Sequence, residues 1–167
     1  MLGADAITPL EDPAMPELTY RRATVADLPF IVELVTIDDV SDMRLDDADR
    51  LDDPAYARAL AEIDADPNEE LYVATLDGEP VGTFQLTFLP GIMRRGMWRG
   101  LVESVHIAPA HRNRGLGGQM MQWAISRARE RGCGMVQLTS NKKRTDAHRF
   151  YRRLGFHQSH EGFKLYL

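Results

Sequence analysis

Apolar positions along this chain keep two different periods, and the switches between them divide it into elements. Residues 71–76 and 81–89 are rich in β-branched, aromatic and leucine side chains and flank Asp77-Gly78-Glu79-Pro80, which predicts an antiparallel hairpin. A further apolar run at 98–107 predicts the next strand, after a turn marked by Pro90, Gly91 and Gly96 whose tip carries Arg94 and Arg95. From 115 to 131 the period lengthens. Leu116, Met120, Trp123, Ala124 and Ala128 fall on one helical stripe, and Gly132 supplies the stop. Residues 135–139 read as a strand, and a helical linker of this length implies that it runs parallel to 98–107. Toward the N-terminus, 18–22 reads as a strand and 24–35 as a helix opened by a capping-box pattern, Thr24 to Asp27, with Pro29 either inside it or at its true first turn. Asp53-Pro54 is a good cap and first-turn pair for a second helix to about 63. The acidic stretch 38–53 between them reads as a loop or a frayed helix. A last helix is expected over 145–154, stopped by Gly155, and then a closing hairpin of 156–158 with 164–167.

Composition narrows the class. A chain of 167 residues, 44% apolar and 27% charged, is ordinary for one soluble domain with a sizeable core. Residues 1–17 hold three prolines without periodicity and read as a flexible extension, leaving 18–167 as a single domain. No apolar run approaches the roughly 20 residues of a membrane span. Met1 to Ala6 lacks a basic region and an apolar core, so a secretory signal is not expected. Cys133 is the single cysteine, which excludes an internal disulfide framework and a cysteine-based zinc cluster. The five histidines lack metal-ligand spacing, so no metal is expected. These features together suggest a cytoplasmic protein. The net charge of −5 is unevenly spread: residues 1–70 carry 19 acidic and 5 basic side chains, a net −14, while residues 71–167 are net +9. The basic part suits an anionic ligand. The acidic part suits a cationic partner such as an amine, or is a solvated face. Nucleic acid is a poor fit for an acidic chain without an aromatic-interleaved basic stripe.

One segment carries chemistry. His111-Arg112-Asn113-Arg114-Gly115-Leu116-Gly117-Gly118 joins the strand at 98–107 to the helix at 115–131. A glycine-rich turn between a strand and a helix N-terminus points successive backbone N–H groups at one spot, where the helix dipole favours negative charge. A diphosphate-bearing cofactor is the natural guest. The run is not a P-loop, because no Gly-Lys-Ser/Thr follows, and it is not a dinucleotide G-x-G-x-x-G turn.

With Glu103-Ser-Val-His-Ile before it, and Thr139-Ser-Asn and Phe150-Tyr151-Arg-Arg-Leu-Gly155-Phe156 after it, this segment resembles the GNAT superfamily of N-acetyltransferases. The signature Arg/Gln-x-x-Gly-x-Gly/Ala is matched by Arg112, Gly115 and Gly117, and the likeness covers roughly 19–167. It implies an α/β fold: a mixed, mostly antiparallel central sheet with flanking helices and a V-shaped splay between two parallel strands. It also implies acetyl-CoA as acyl donor and direct attack by an amine. The N–H groups of Asn113, Arg114, Gly115, Leu116, Gly117 and Gly118 would hold the pyrophosphate, with Arg112 and Arg114 as charge partners. Backbone groups of Val105, His106 and Ile107 would line the pantetheine arm, and the Ile107 N–H would polarise the thioester carbonyl. A bulge in that strand would expose these groups.

On the far side of the splay, the Asn141 amide would meet pantetheine; an Asx turn is the other reading. Tyr151 would protonate the departing thiolate, or serve as a core aromatic. Glu103 is the base candidate, acting directly or through water if desolvated, or else is a salt-bridge partner. Its even spacing from Ile107 places both on one face of an unbulged strand, with His106 on the other. The acceptor expected is a small amine, and a cationic one where the acidic stretch 38–53 forms its wall. A protein lysine or N-terminus is the alternative acceptor, and a non-catalytic CoA sensor the alternative function. Homodimers through the closing hairpin or the 91–100 turn fit the same resemblance.

Overall fold

The computed structural model describes residues 16–40 and 46–167; the expected extension at 1–17 lies almost wholly outside the described residues. Five strands form one sheet in the order β1 (Thr19–Arg22), β2 (Glu69–Leu76), β3 (Glu79–Leu89), β4 (Trp98–Ile107), β5 (Cys133–Gln137). The first four are antiparallel neighbours, and β5 runs parallel to β4. The tight turn between β2 and β3 is carried by Asp77 (φ 52°) and Gly78 (φ 88°). Residues 93–96 form a one-turn element, α3 (Met93–Gly96), in which Arg94 and Arg95 are left-handed.

Two helices cover one face. α1 (Leu28–Asp38) lies over β3 and β4, and α2 (Pro54–Ala65) over β2. The entry to α1 is fixed electrostatically: the buried Asp27 carboxylate accepts from the Thr24 N–H at 2.7 Å and from the Arg21 guanidinium at 2.7 and 2.8 Å. Asp53 caps α2 by accepting from Ala55 N at 2.9 Å. The acidic stretch expected as loop or frayed helix begins inside α1, passes through 41–45 outside the described residues, and returns as a 3-10 turn at Ala48–Arg50. Beneath these helices Ala23, Leu28, Ile31, Leu60, Leu71 and Val73 form a small core.

The opposite face holds the larger core, built from Phe84, Leu86, Phe88 and Val102 of the sheet against Met120, Met121, Ala124 and Ala128 of α4 (Leu116–Glu130). Trp123 anchors it, stacking on Tyr20 at 4.7 Å and meeting Tyr72 edge-on at 4.7 Å. The segment entering β1 is strapped to α4, because Gln119 donates to Pro16 O at 2.9 Å and accepts from Leu18 N at 3.3 Å. α5 (Thr145–Arg153) completes this layer through Phe150, Tyr151 and Leu154.

The closing hairpin expected at 156–158 and 164–167 is not formed. Residues 156–167 have no regular structure, and Phe163, Leu165 and Leu167 stand exposed. Their alternation describes a strand face, but alternation holds a strand only where a neighbouring backbone is in reach, and no ladder joins this tail to β5. The fifth strand also lies two residues earlier than expected, because Cys133 pairs with Trp98 before the apolar run begins, with Gly134 passed over at a register shift.

Candidate active site

The site is organised by an irregularity in β4. Gln85 pairs with Glu103 and Thr83 with His106, so Phe84 alone faces Ser104 and Val105. This is a β-bulge, with Ser104 in the left-handed region at φ 50°. The extra residue reverses the alternation beyond it. Glu103 and His106 therefore share the face under α1, while Ile107 pairs with Gly82 on the α4 face. The shared face of Glu103 and Ile107 holds only for an unbulged strand, and the bulge separates them.

The bulge also coincides with the parting of the parallel strands. The last β4–β5 pair is Leu101 with Gln137, and β4 continues six residues further. Ala108 N donates to Val81 O at 2.9 Å, so the N–H and C=O of Ile107 face the opposite edge, the one β5 has left. Gly82 permits this register: a Cβ there would lie 2.8 Å from His106 O and from the Ile107 side chain.

The phosphate turn follows directly. Asn113 (φ 60°) and Gly115 (φ 77°) are both left-handed and aim the chain into α4. Among the described residues, no acceptor meets the N–H groups of Asn113, Arg114, Gly115, Leu116 or Gly117. Gly118 N is engaged by Gly115 O at 3.0 Å, closing the first turn. A Cβ at Gly118 would meet nothing within 4 Å, so the shelf above the helix start is open. Five unpaired donors below an open shelf fit a diphosphate. The side chains nearby are already engaged. Arg112 donates through Nε to Ile107 O and through Nη2 to Asp38 Oδ1, each at 2.9 Å, and Arg114 donates to His111 at 3.0 Å.

Asp38, at the end of α1, joins the two faces. Its other oxygen accepts from Nδ1 of the buried His106 at 2.8 Å. Burial pushes this carboxyl up, but the His106 hydrogen bond and the Arg112 charge outweigh it and hold the group below the usual carboxylate value. Sequence reading missed Asp38 as a strut, since it lies 68 and 74 positions from its two partners.

Across the splay, Asn141 forms an Asx turn, accepting from Lys143 N at 2.9 Å. Beside it Ser140 Oγ is buried without a partner among the described residues, a polar atom suited to a ligand in the cleft and missed in the sequence. Tyr151 packs on Phe150 and Phe156 at 5.2 and 5.9 Å, while its hydroxyl has no partner among the described residues. Burial raises its pKa, opposed by the Arg144 charge. Burial likewise raises Cys133, which makes it a poor nucleophile.

Under α1 and α2 a cavity of about 120 Å3 reaches the bulge. Leu28, Ile31 and Val35 of α1, Leu60 and Ile63 of α2, and Leu71 of β2 wall it, with Ser104, Gln85, Tyr56 and Asp46 as its polar groups. Tyr56 donates to Asp46 Oδ1 at 2.7 Å; burial, and then that carboxylate, push its phenol up to about 12. Of Asp46, Asp47 and Asp49, the last two meet each other through the 3-10 turn, and Asp46 alone lines this cavity. Glu103 is exposed beside the bulge, without the desolvation expected for a base.

Known proteins share this architecture. The "Acetyltransferase (GNAT) family" model matches residues 37–156. The aminoalkylphosphonate N-acetyltransferase of Salmonella typhimurium is 35% identical over 113 residues, covering 68% of this chain and 73% of its own. The glucosamine 6-phosphate N-acetyltransferase of Trypanosoma brucei brucei is 34% identical over 84 residues, covering 50% and 54%. A Bacillus halodurans C-125 structure described as a transcriptional regulator superposes with a TM-score of 0.83 at 43% identity, covering 90% of this chain and all of that one. With the bulged, splayed strand pair and its phosphate turn, these likenesses establish the chain as a member of the GNAT acetyltransferase family, an acyltransferase acting on amines.

Proposed function

We propose that the domain spanning 18–167 transfers an acetyl group from acetyl-CoA directly to the primary amine of a small molecule. The observation that carries this is the run of five unpaired N–H groups, Asn113 to Gly117, opening beside the free edge of β4. Acetyl-CoA supplies the activated thioester carbonyl. The turn binds its diphosphate, and the edge of β4 from Val105 to Ile107 lines its pantetheine arm, with Ser140 and Asn141 across the cleft. The Ile107 N–H donates to the carbonyl oxygen as negative charge builds there. The incoming ammonium gives its proton to Glu103, directly or through water, before nitrogen attacks. The C–N bond forms, the C–S bond breaks, and the Tyr151 hydroxyl donates its proton to the departing sulfur. The Tyr151 phenol carries its proton at neutral pH, as an ordinary phenol does, and burial, which raises its pKa, keeps it protonated while making it the weaker acid.

The test is a thermal-shift titration with acetyl-CoA, followed by a thiol-release assay over a library of amines. Saturable stabilisation with thiol release is expected. The name of the Bacillus relative favours a second reading, a CoA-responsive regulator. It requires stabilisation without release from any amine. Failure of acetyl-CoA to stabilise the protein overturns both.

A further inference from the structure

The two acetyltransferases named above are described by amines that also carry a phosphonate or a phosphate. The cavity at the bulge of this chain has the opposite character. Its walls are aliphatic side chains of α1, α2 and β2, and among the described residues that line it none is Lys, Arg or His. Among the described lining residues the one ionised group is a carboxylate, Asp46, hydrogen-bonded to Tyr56 at 2.7 Å. The cavity meets an open concavity of about 580 Å3 at Ile63 and Gln85, and that outer space is edged by Glu62, Asp66 and Glu69. Negative charge therefore flanks the approach on both sides.

Resting on the acetyltransferase reading, we infer that the acceptor is a primary amine bearing a compact, uncharged hydrocarbon group, and that anionic amines are rejected. The hydrocarbon sits between α1 and α2, and the amine stands at Ser104, one residue from Glu103 and facing the splay. Size sets the upper bound. An apolar cavity of about 150 Å3 holds one benzene ring, so about 120 Å3 accommodates a branched chain of about five carbons or a tightly held ring. Apolar walls favour such a group by burial. A phosphonate in the same place loses its hydration without a cation to replace it and faces Asp46. The carboxylates outside attract the ammonium form of the amine, and the proton is given up at the bulge.

The experiment compares isoamylamine and benzylamine with 2-aminoethylphosphonate and glucosamine 6-phosphate by thiol release. It also measures stabilisation of the CoA-loaded protein by each amine. Expected is a kcat/KM for isoamylamine at least about tenfold above that for the two anionic amines. Ala59→Phe adds bulk at the rim of the cavity from an exposed position on α2. It is expected to raise the isoamylamine KM about tenfold and to weaken the amine's stabilisation of the loaded protein, while acetyl-CoA still stabilises the variant. Preference for the phosphonate, or an isoamylamine KM that Ala59→Phe leaves unmoved, overturns the inference and leaves the acetyltransferase reading standing. Absence of turnover and of stabilisation with every amine overturns both.

Discussion

The two sides of the β4 bulge are built by different means. On the side proposed for the cofactor, what is offered to a ligand is backbone: left-handed Asn113 and Gly115, five N–H groups without an acceptor among the described residues, and the free edge of a strand. The two arginine side chains of that turn are engaged by the protein itself, Arg112 by Asp38 and the Ile107 carbonyl, Arg114 by His111. On the side proposed for the acceptor, the cavity is lined by residues brought together from α1, α2, β2, β3 and the bulge. A backbone site tolerates side-chain changes but not a change of dihedral angle. A side-chain site behaves the other way, which is how one fold keeps a fixed donor and changes its acceptor.

Tyr151 is where that contrast is easiest to break, because it is the one side chain on which the cofactor half is proposed to depend for chemistry. Tyr151→Phe keeps the packing on Phe150 and Phe156 and removes only the proton. The expected result is a kcat about 100-fold lower with acetyl-CoA affinity unchanged. A kcat within twofold of the parent would return Tyr151 to a purely structural role. Next in size is Gly115→Val. A β-branched residue at φ 77° costs about 1–2 kcal/mol, and the turn relieves it by rotating the N–H groups out of line. Acetyl-CoA affinity is expected to fall about tenfold or more, read from the thermal-shift titration, with the isoamylamine KM far less affected. Equal losses on both substrates would show that the halves are not separable.

The same contrast explains what the sequence revealed. The turn into α4 was legible because a left-handed residue at a helix start favours glycine, and Gly115 stands there within the short run from Arg112 to Gly118. The strand over 98–107 and the helix beside it followed from unbroken periodicity. The bulge was not readable: Ser104 is neither Gly nor Asn, and nothing local marks a serine that adopts φ 50°. That single residue moved Glu103 to the other face from Ile107. The acceptor cavity was equally hidden, since Leu28, Leu60 and Leu71 carry no sign of which side of a helix or strand will meet the others. Ser140 and Asp38 escaped for a related reason, as their significance lies in partners absent or distant in sequence. The tail failed in the opposite sense: Phe163, Leu165 and Leu167 have a strand's period without a strand's neighbour.

Asp38 is the strut between the halves, and its removal tests how rigidly they are joined. Asp38→Asn preserves shape while removing the charge that holds His106 and Arg112 together. The cost expected is about 1–2 kcal/mol of stability at neutral pH, with a smaller loss of acetyl-CoA affinity than Gly115→Val gives. The pH dependence has a definite sign. The folded carboxyl lies below its ordinary value of 3.8, so its contribution is complete above that value and disappears as pH falls through the lowered one. Urea melts of the parent and the variant should therefore differ at pH 7 and converge in acid. A gap that stays constant down to pH 2.5 would mean that Asp38 contributes through shape alone, and the connection between the acceptor helix and the phosphate turn would be steric rather than ionic.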